Sequence, residues 1–405
     1  MNVSHLSNIQ NMFDEVVAQN KVAGLNCLVF KDDKELGYWQ SGYANIEKKI
    51  PFGRNTIARL YSMSKPVTNV AAWILIEQGK LELCDEVDKF IPEYRELTVC
   101  SEGGKNGKPH KAFRRITIQD LLNMTSGYTY GAWCDESPLG EHLTSELIGE
   151  LNRDVTSDFK ITTMDVAKKL AAIPVSFEPG TDYNYGLSAD ILGAVIEVVS
   201  GMKLSEFLKK NIFEPLAMND TDFYVPENKL SRLANVYKAE EVEQNKYKLT
   251  LFESPNLGIQ PFMNHKPAFE SGGAGLCSTL DDYLKFARML LNGGELNGRR
   301  ILQKKTVEYF AEARLRADLQ QRFDMKMGHL CGYTYCNLMR VAYEKGRCNV
   351  ITENGEFGWD GWLGPYVSVD LQNKLIIVML MQKTDSGTWE VTRKLKNIVY
   401  SSSEG

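Results

Sequence analysis

The sequence predicts an α+β protein. Its two ends build one antiparallel sheet flanked by helices, and a mostly helical lobe is inserted between them. Three observations carry this reading. Segments with strand character occur near the N-terminus and again near the C-terminus, each set joined by a short polar turn. The long middle, from Leu81 to about Lys266, reads as helices and long loops. Between the first strands and that middle stands a helix, opened by Tyr61-Ser62-Met63-Ser64-Lys65-Pro66, whose run Val70 to Ile76 is apolar on nearly every side. A helix of that kind belongs in the middle of a domain. A chain of 405 residues has room for a discontinuous sheet domain, 1–90 with 269–405, around a helical lobe at 91–268.

Taken in order, His5 to Gln19 reads as an amphipathic helix. Gly24 to Phe30 is a strand, paired with Glu35 to Ala44 through the turn Lys31-Asp32-Asp33. Pro66 is tolerable only near a helix start, which puts Ser62 about at the N-terminus of the apolar helix, and Gly79 closes it. Thr117-Ile118-Gln119-Asp120 has the form of a capping box before Leu121-Leu122. The turn Glu178-Pro179-Gly180-Thr181 leads through Tyr183 and Tyr185 into a helix with Ser188 near its start and Ser200-Gly201 at its end. Gly272-Gly273-Ala274-Gly275 reads as a flexible connector before a helix that starts at Ser278 to Asp282 and stops at Asn292-Gly293-Gly294. Strands Gly364 to Asp370 and Lys374 to Gln382 come next, turning at Gln372-Asn373, and a helix from Trp389 to Tyr400 comes last.

Composition narrows the function classes. Hydrophobic content of 43% and charged content of 24% are those of a soluble globular protein. A net charge of −5 with no basic block argues against nucleic acid and anionic membrane as partners. Asp14 and Glu15 interrupt the first residues, no apolar core of a signal peptide is present, and no apolar run is long enough to span a membrane. The eight cysteines are scattered and read as reduced thiols, so a cytoplasmic location is expected. With five histidines and no convergent ligand set, neither a metal nor another cofactor is expected.

The chemistry centres on Ser62-x-x-Lys65. Three residues apart on a helix, the two side chains share a face. A serine needs a neighbouring base to attack a carbonyl, and a desolvated lysine supplies one. The pattern recurs at Ser157–Lys160 and Ser200–Lys203, but Ser157 precedes no buried helix and Ser200 ends one. On spacing and burial alone, Ser62 as nucleophile and Ser62 as a helix cap stand level.

Four features occur together and in order: Ser62-x-x-Lys65, the Pro179-Gly180-Thr181-x-x-x-Tyr185 run, the glycine-rich run at Gly272, and Gly358-Trp359-Asp360-Gly361-Trp362 before a terminal strand pair. From about Val22 to Lys396 the chain resembles the class C β-lactamase-like serine hydrolases, and within them the family VIII carboxylesterases and related acyltransferases. The resemblance implies that Ser62 is the acylated nucleophile and Lys65 its base or proton-relay partner. Tyr185 would be the second member of the acid/base pair, its proton loosened by a neighbouring ammonium. The backbone N–H groups of Ser62 and of Trp362, just past an edge strand, would form the oxyanion hole. Trp359, Asp360, Trp362 and Tyr128 would line the substrate pocket, with Tyr130 and Trp133 adding to the aromatic supply.

Two departures bear on substrate. The second motif of β-lactamases reads Tyr-x-Asn, and Leu187 stands here in its third position. Their Lys-Thr-Gly motif is matched by Trp359-Asp360-Gly361, closer to the tryptophan-glycine-glycine of the esterases. The lost lysine and threonine help hold a substrate carboxylate. A small ester or acyl compound is therefore the expected substrate. A D-amino-acid peptidase, amidase or weak β-lactamase is one alternative, and a silent ligand-binding relative another. Oligomeric state is left open.

Overall fold

In the computed structural model, residues 3–244 and 246–402 are described. Eight strands form one antiparallel sheet: β1 (Gly24–Lys31), β2 (Lys34–Asn45), β3 (Ile50–Pro51), β4 (Tyr333–Cys336), β5 (Met339–Ala342), β6 (Phe357–Asp360), β7 (Tyr366–Asp370) and β8 (Leu375–Met381). Their spatial order is β4-β5-β6-β7-β8-β1-β2-β3. The first and last parts of the chain therefore meet at β1 and β8, in register from Leu25 opposite Met381 to Lys31 opposite Leu375. Asp32 and Asp33 take φ of 48° and 61°, the left-handed pair that a tight hairpin between twisted strands requires.

Five helices cover the sheet or position the cleft: α1 (Val3–Ala18), α2 (Ser64–Glu77), α3 (Ser188–Ser200), α4 (Leu280–Leu291) and α5 (Glu390–Ser401). The central strands are buried almost without interruption because both faces of the sheet are covered. Leu25, Cys27 and Val29 pack with Ile377 and Met379 under Leu6, Ile9 and Phe13 of α1 and Val391, Leu395 and Val399 of α5. Leu28, Phe30, Ile376, Val378 and Leu380 face the other way, into the large core that contains α2, α3 and α4. Every residue of α2 from Ser64 to Leu75 is buried. The α+β class is as the sequence indicated.

The expected elements are present with their ends moved by a residue or two. Gly364, at φ 88°, belongs to the turn before β7. The Thr117 capping box forms, with Thr117 Oγ1 accepting from Asp120 N and Asp120 Oδ2 accepting from Thr117 N. Strands β4 and β5 have no counterpart in the sequence reading, which has β6 only through the resemblance, as an edge strand; nor does it have the hairpin Tyr237–Glu243 with Lys246–Leu251. The hairpin is mostly exposed and shows no inward-facing apolar row. Strands β4 to β6 are four residues each and mix polar groups such as Thr334, Arg340 and Asp360 into fully buried positions.

Of these, Arg340 is held by a buried polar network. Glu356 is fully buried and accepts from Arg340 Nη2 (3.1 Å), Lys396 Nζ (2.6 Å) and Ser368 Oγ (2.6 Å). Lys396 also donates to Tyr333 Oη (2.7 Å), so α5 is tied to β4, β5 and β7. Burial pushes the Glu356 carboxyl up, but Lys396 and Arg340 outweigh it and hold the group below its ordinary value. Among the described residues no helix is long and apolar enough to cross a membrane, no His/Cys/Asp/Glu group is placed to hold a metal ion, and all eight cysteines are free. Glu356→Gln leaves two buried cations facing an uncharged amide. It is expected to cost about 3–5 kcal/mol, read as a lower midpoint in chemical denaturation.

Candidate active site

Ser62 sits on a single 3₁₀ turn, Tyr61–Met63, that runs directly into α2. The turn is fixed from several sides. Leu60 N donates to Leu276 O (2.9 Å), Leu276 N donates to Ser64 Oγ (3.1 Å), and Tyr283 Oη donates to Met63 O (2.7 Å). Tyr61 holds φ of 44°, a left-handed conformation that an aromatic residue adopts only when its surroundings impose it. Its ring packs on Trp362 with centroids 5.0 Å apart.

Lys65, one turn on, is completely buried. Its Nζ donates to Ser62 Oγ (3.0 Å), Tyr130 Oη (2.9 Å) and Gly273 O (2.9 Å), and lies 4.7 Å from the centroid of the Tyr185 ring. Burial pushes the Lys65 amine down to about 7, with Asp190 and Asp360 only partly opposing it. A lysine near neutrality has a lone pair to offer a hydroxyl. The Ser157 and Ser200 repeats of the pattern form no such pair: Ser157 Oγ donates to Arg153 O, Lys160 pairs with Asp158, and Ser200 Oγ accepts from Met202 N.

Tyr185 Oη accepts from Trp359 Nε1 (2.7 Å), and the Tyr130 ring meets the Tyr185 ring at 5.6 Å. The expected loosening of the Tyr185 proton by an adjacent ammonium is overturned. Burial dominates and lifts this phenol well above its ordinary range, so Tyr185 is a donor at neutral pH. Ser62, Tyr185, Trp359, Asp360 and Trp362 all line one cleft of about 560 Å³, joined by Tyr130, Trp133 and His329.

Tyr128 does not belong with them. It is 2% exposed, gives its hydroxyl proton to Leu170 O (2.9 Å) and packs edge-on against Tyr94, inside the large core. Tyr130, two residues later, reaches Lys65 instead. Nothing in the sequence separates the two tyrosines, since both flank the same short run.

Asp360 is 7% exposed on the cleft wall, with Oδ2 accepting from Thr388 Oγ1. Strand β6 is interior to the sheet, not an edge strand. However, β5 pairs only with its Phe357 and Gly358, which leaves Trp359 and Asp360 open on that side. Trp362 lies in the turn after β6, its ring between Tyr61 and Phe252 and its Nε1 on Asp385 (2.8 Å). A Cβ on Gly361 would stand 2.2 Å from Leu60 O, so only glycine lets this turn approach the Ser62 turn.

The run at Gly272 is not a flexible connector. Ser271 Oγ and Gly273 N both donate to the buried Asp190 carboxylate, and Thr68 Oγ1 of α2 donates to Gly272 O (2.7 Å). A Cβ at Gly272 would fall 2.5 Å from Ala189 O, and one at Gly273 2.8 Å from Asp190 Oδ2. The glycines are present because α2, α3 and this segment pass within backbone contact, which is how Gly273 O reaches Lys65. Gly272→Ala is expected to cost about 1–3 kcal/mol by overpacking, measured by denaturant titration.

The family model described as Beta-lactamase matches residues 9–399. Esterase EstB of Burkholderia gladioli is 28% identical over 281 residues, covering 68% of this chain and 67% of its own. A putative D-alanyl-D-alanine carboxypeptidase of Salmonella typhimurium is 25% identical over 381 residues, covering 89% and 79%. Among solved structures, EstCE1, described as a hydrolase with promiscuous acyltransferase activity, superposes with a TM-score of 0.78 at 23% identity over 98% of this chain and 99% of its own. Together with the paired Ser62 and Lys65 at the foot of the cleft, these likenesses leave one conclusion: the chain belongs to the β-lactamase family.

Proposed function

We propose that the protein is a serine acyl hydrolase of small carboxylic esters, able to pass the acyl group to an alcohol in place of water, through a covalent acyl-Ser62 intermediate. The observation that carries the reading is a buried amine, lowered to about 7, held 3.0 Å from a serine hydroxyl at the foot of an aromatic cleft. Lys65 takes the Ser62 proton as Oγ bonds to the ester carbonyl carbon. The backbone N–H groups of Ser62 and Trp362 are assigned to the developing oxyanion. As the bond to the alcohol breaks, Tyr185 gives its proton to the leaving oxygen and recovers one from Lys65. Water or a second alcohol then attacks the acyl carbon by the same steps in reverse.

Ester preference rests on the third motif. Trp359 and Asp360 occupy the places of the lysine and threonine that meet a carboxylate in β-lactamases. Two unit charges about 4 Å apart interact by roughly 1 kcal/mol in water and about 4 kcal/mol at an effective dielectric of 20. Asp360 on the cleft wall sets such a repulsion against a substrate carboxylate, and a neutral ester escapes it. A peptidase acting on D-amino-acid peptides would use the same residues. Similarity to the putative carboxypeptidase favours that second reading, and Asp360 counts against it.

An active-site phosphonate is expected to label Ser62 and neither Ser157 nor Ser200, with labelling lost in Ser62→Ala. Esterase activity in that variant is expected to fall by more than about a thousandfold, and Ser62→Ala/Lys65→Ala to be little worse than either single change. Because the neutral amine is the base, kcat/KM for p-nitrophenyl butyrate is expected to be low in acid and to rise as pH passes through about 7. A chromogenic cephalosporin is expected to turn over far more slowly than the butyrate ester. Equal efficiency would overturn the reading of Trp359-Asp360-Gly361.

A further inference from the structure

Resting on the ester-hydrolase reading, a second property of the cleft bears on which esters it takes. Among the described residues lining it, Asp360 is the single side chain with a formal charge at neutral pH. His329, the other titratable nitrogen on the wall, is shifted down by burial and stays uncharged. Much of the remaining wall is aromatic, with Trp359, Trp362, Tyr61, Tyr130 and Tyr185.

Among the described residues Asp360 makes no salt bridge, although Arg340, which shares the single carboxylate of Glu356 with Lys396, lies close enough to act on it. Asp360 Oδ2 is taken by Thr388 Oγ1. The buried cations behind it, Arg340 and Lys396, are both ion-paired to Glu356, and Arg393 donates to Thr388 O. Oδ1 faces Gly387, which also lines the cleft. A Cβ at 387 would stand 3.2 Å from Oδ1, so any side chain there would press on that oxygen. Its φ is not in the left-handed region, so backbone conformation does not demand glycine there.

A carboxylate on the wall of a largely aromatic cleft is an arrangement that holds an ammonium group, through charge and through the electron-rich ring faces. We propose that the preferred substrates are esters carrying an ammonium group remote from the scissile bond, seated on Asp360 between the aromatic walls. The charge is recognised by a side chain other than Ser62 and Lys65, so the same site still accepts a neutral ester, less efficiently. Burial raises the proton affinity of Asp360, while Thr388 and the field of Arg340 act in the other direction.

The test uses p-nitrophenyl esters whose acyl chain ends in trimethylammonium, in its neutral tert-butyl isostere or in carboxylate, at short and long spacers. A parallel set carries the same groups on the alcohol side. The full chain, Asp360→Asn and Gly387→Ala are compared. The expected result is a higher kcat/KM for the ammonium ester than for its isostere in at least one set, expressed mainly in KM. That ratio should fall by about tenfold or more in Asp360→Asn, the order that one partly desolvated charge pair supports. It should also fall in Gly387→Ala, which keeps the charge and presses on Oδ1. Competitive inhibition by benzyltrimethylammonium should weaken in both variants. If Asp360 only balances Arg340, all esters change together and the ratio holds, which overturns the proposal. No ammonium preference in either set overturns it equally. Activity surviving Ser62→Ala on every ester would instead sink the hydrolase reading, so the two failures are distinguishable.

Discussion

The structure depends on keeping one amine out of water. Lys65 Nζ is enclosed by Ser62, Tyr130, Gly273 and the face of Tyr185, and all but the first of those contacts require a distant part of the chain to come close. Helix α2 must be apolar all round because it is the axis on which these parts converge. The glycines at 272 and 273 must lack side chains because α3 and α2 press on them from two sides. Asp190, buried and bonded to Ser271 and Gly273, fixes the carbonyl that accepts from the amine while supplying a negative charge that moderates its loss of proton affinity. An amine with water around it would stay protonated to above about pH 10 and would have no lone pair for a serine.

The legible parts of the fold were those with local causes. The end strands, the apolar helix, the capping box at Thr117 and the stop at Asn292-Gly293 each arise from side-chain period, caps or turn residues within a few positions. The Ser62–Lys65 pair was legible for the same reason, since helix geometry alone brings them together. What was not legible depends on distant partners. Strand β5 is a strand with a buried arginine because Glu356, sixteen residues later, neutralises it. The glycine-rich run looked like slack chain, because nothing local shows that α3 lies against it.

The tyrosines mark the boundary most sharply. Tyr128 and Tyr130 differ by two positions, and only the path of the loop sends one hydroxyl to Leu170 and the other to Lys65. The protonation of Tyr185 escapes the sequence on a similar ground. The nearby amine is visible in the motif, but the enclosure by Tyr130, Tyr335 and Trp359 is not, and enclosure decides the outcome.

The pairing of β1 with β8 has a consequence for how the molecule comes into being. On a ribosome, Leu25 to Lys31 emerges some three hundred and fifty residues before its partner, Leu375 to Met381. Through most of synthesis one side of β1 has only solvent or chaperones to face, and pairings this distant in sequence form slowly. Ser62 is made early, but Trp359 and Trp362 arrive with the same late segment that completes the sheet. The nascent chain thus carries Ser62 for most of its elongation without the cleft that later surrounds it. Assembly of the site and closure of the sheet become a single, final event.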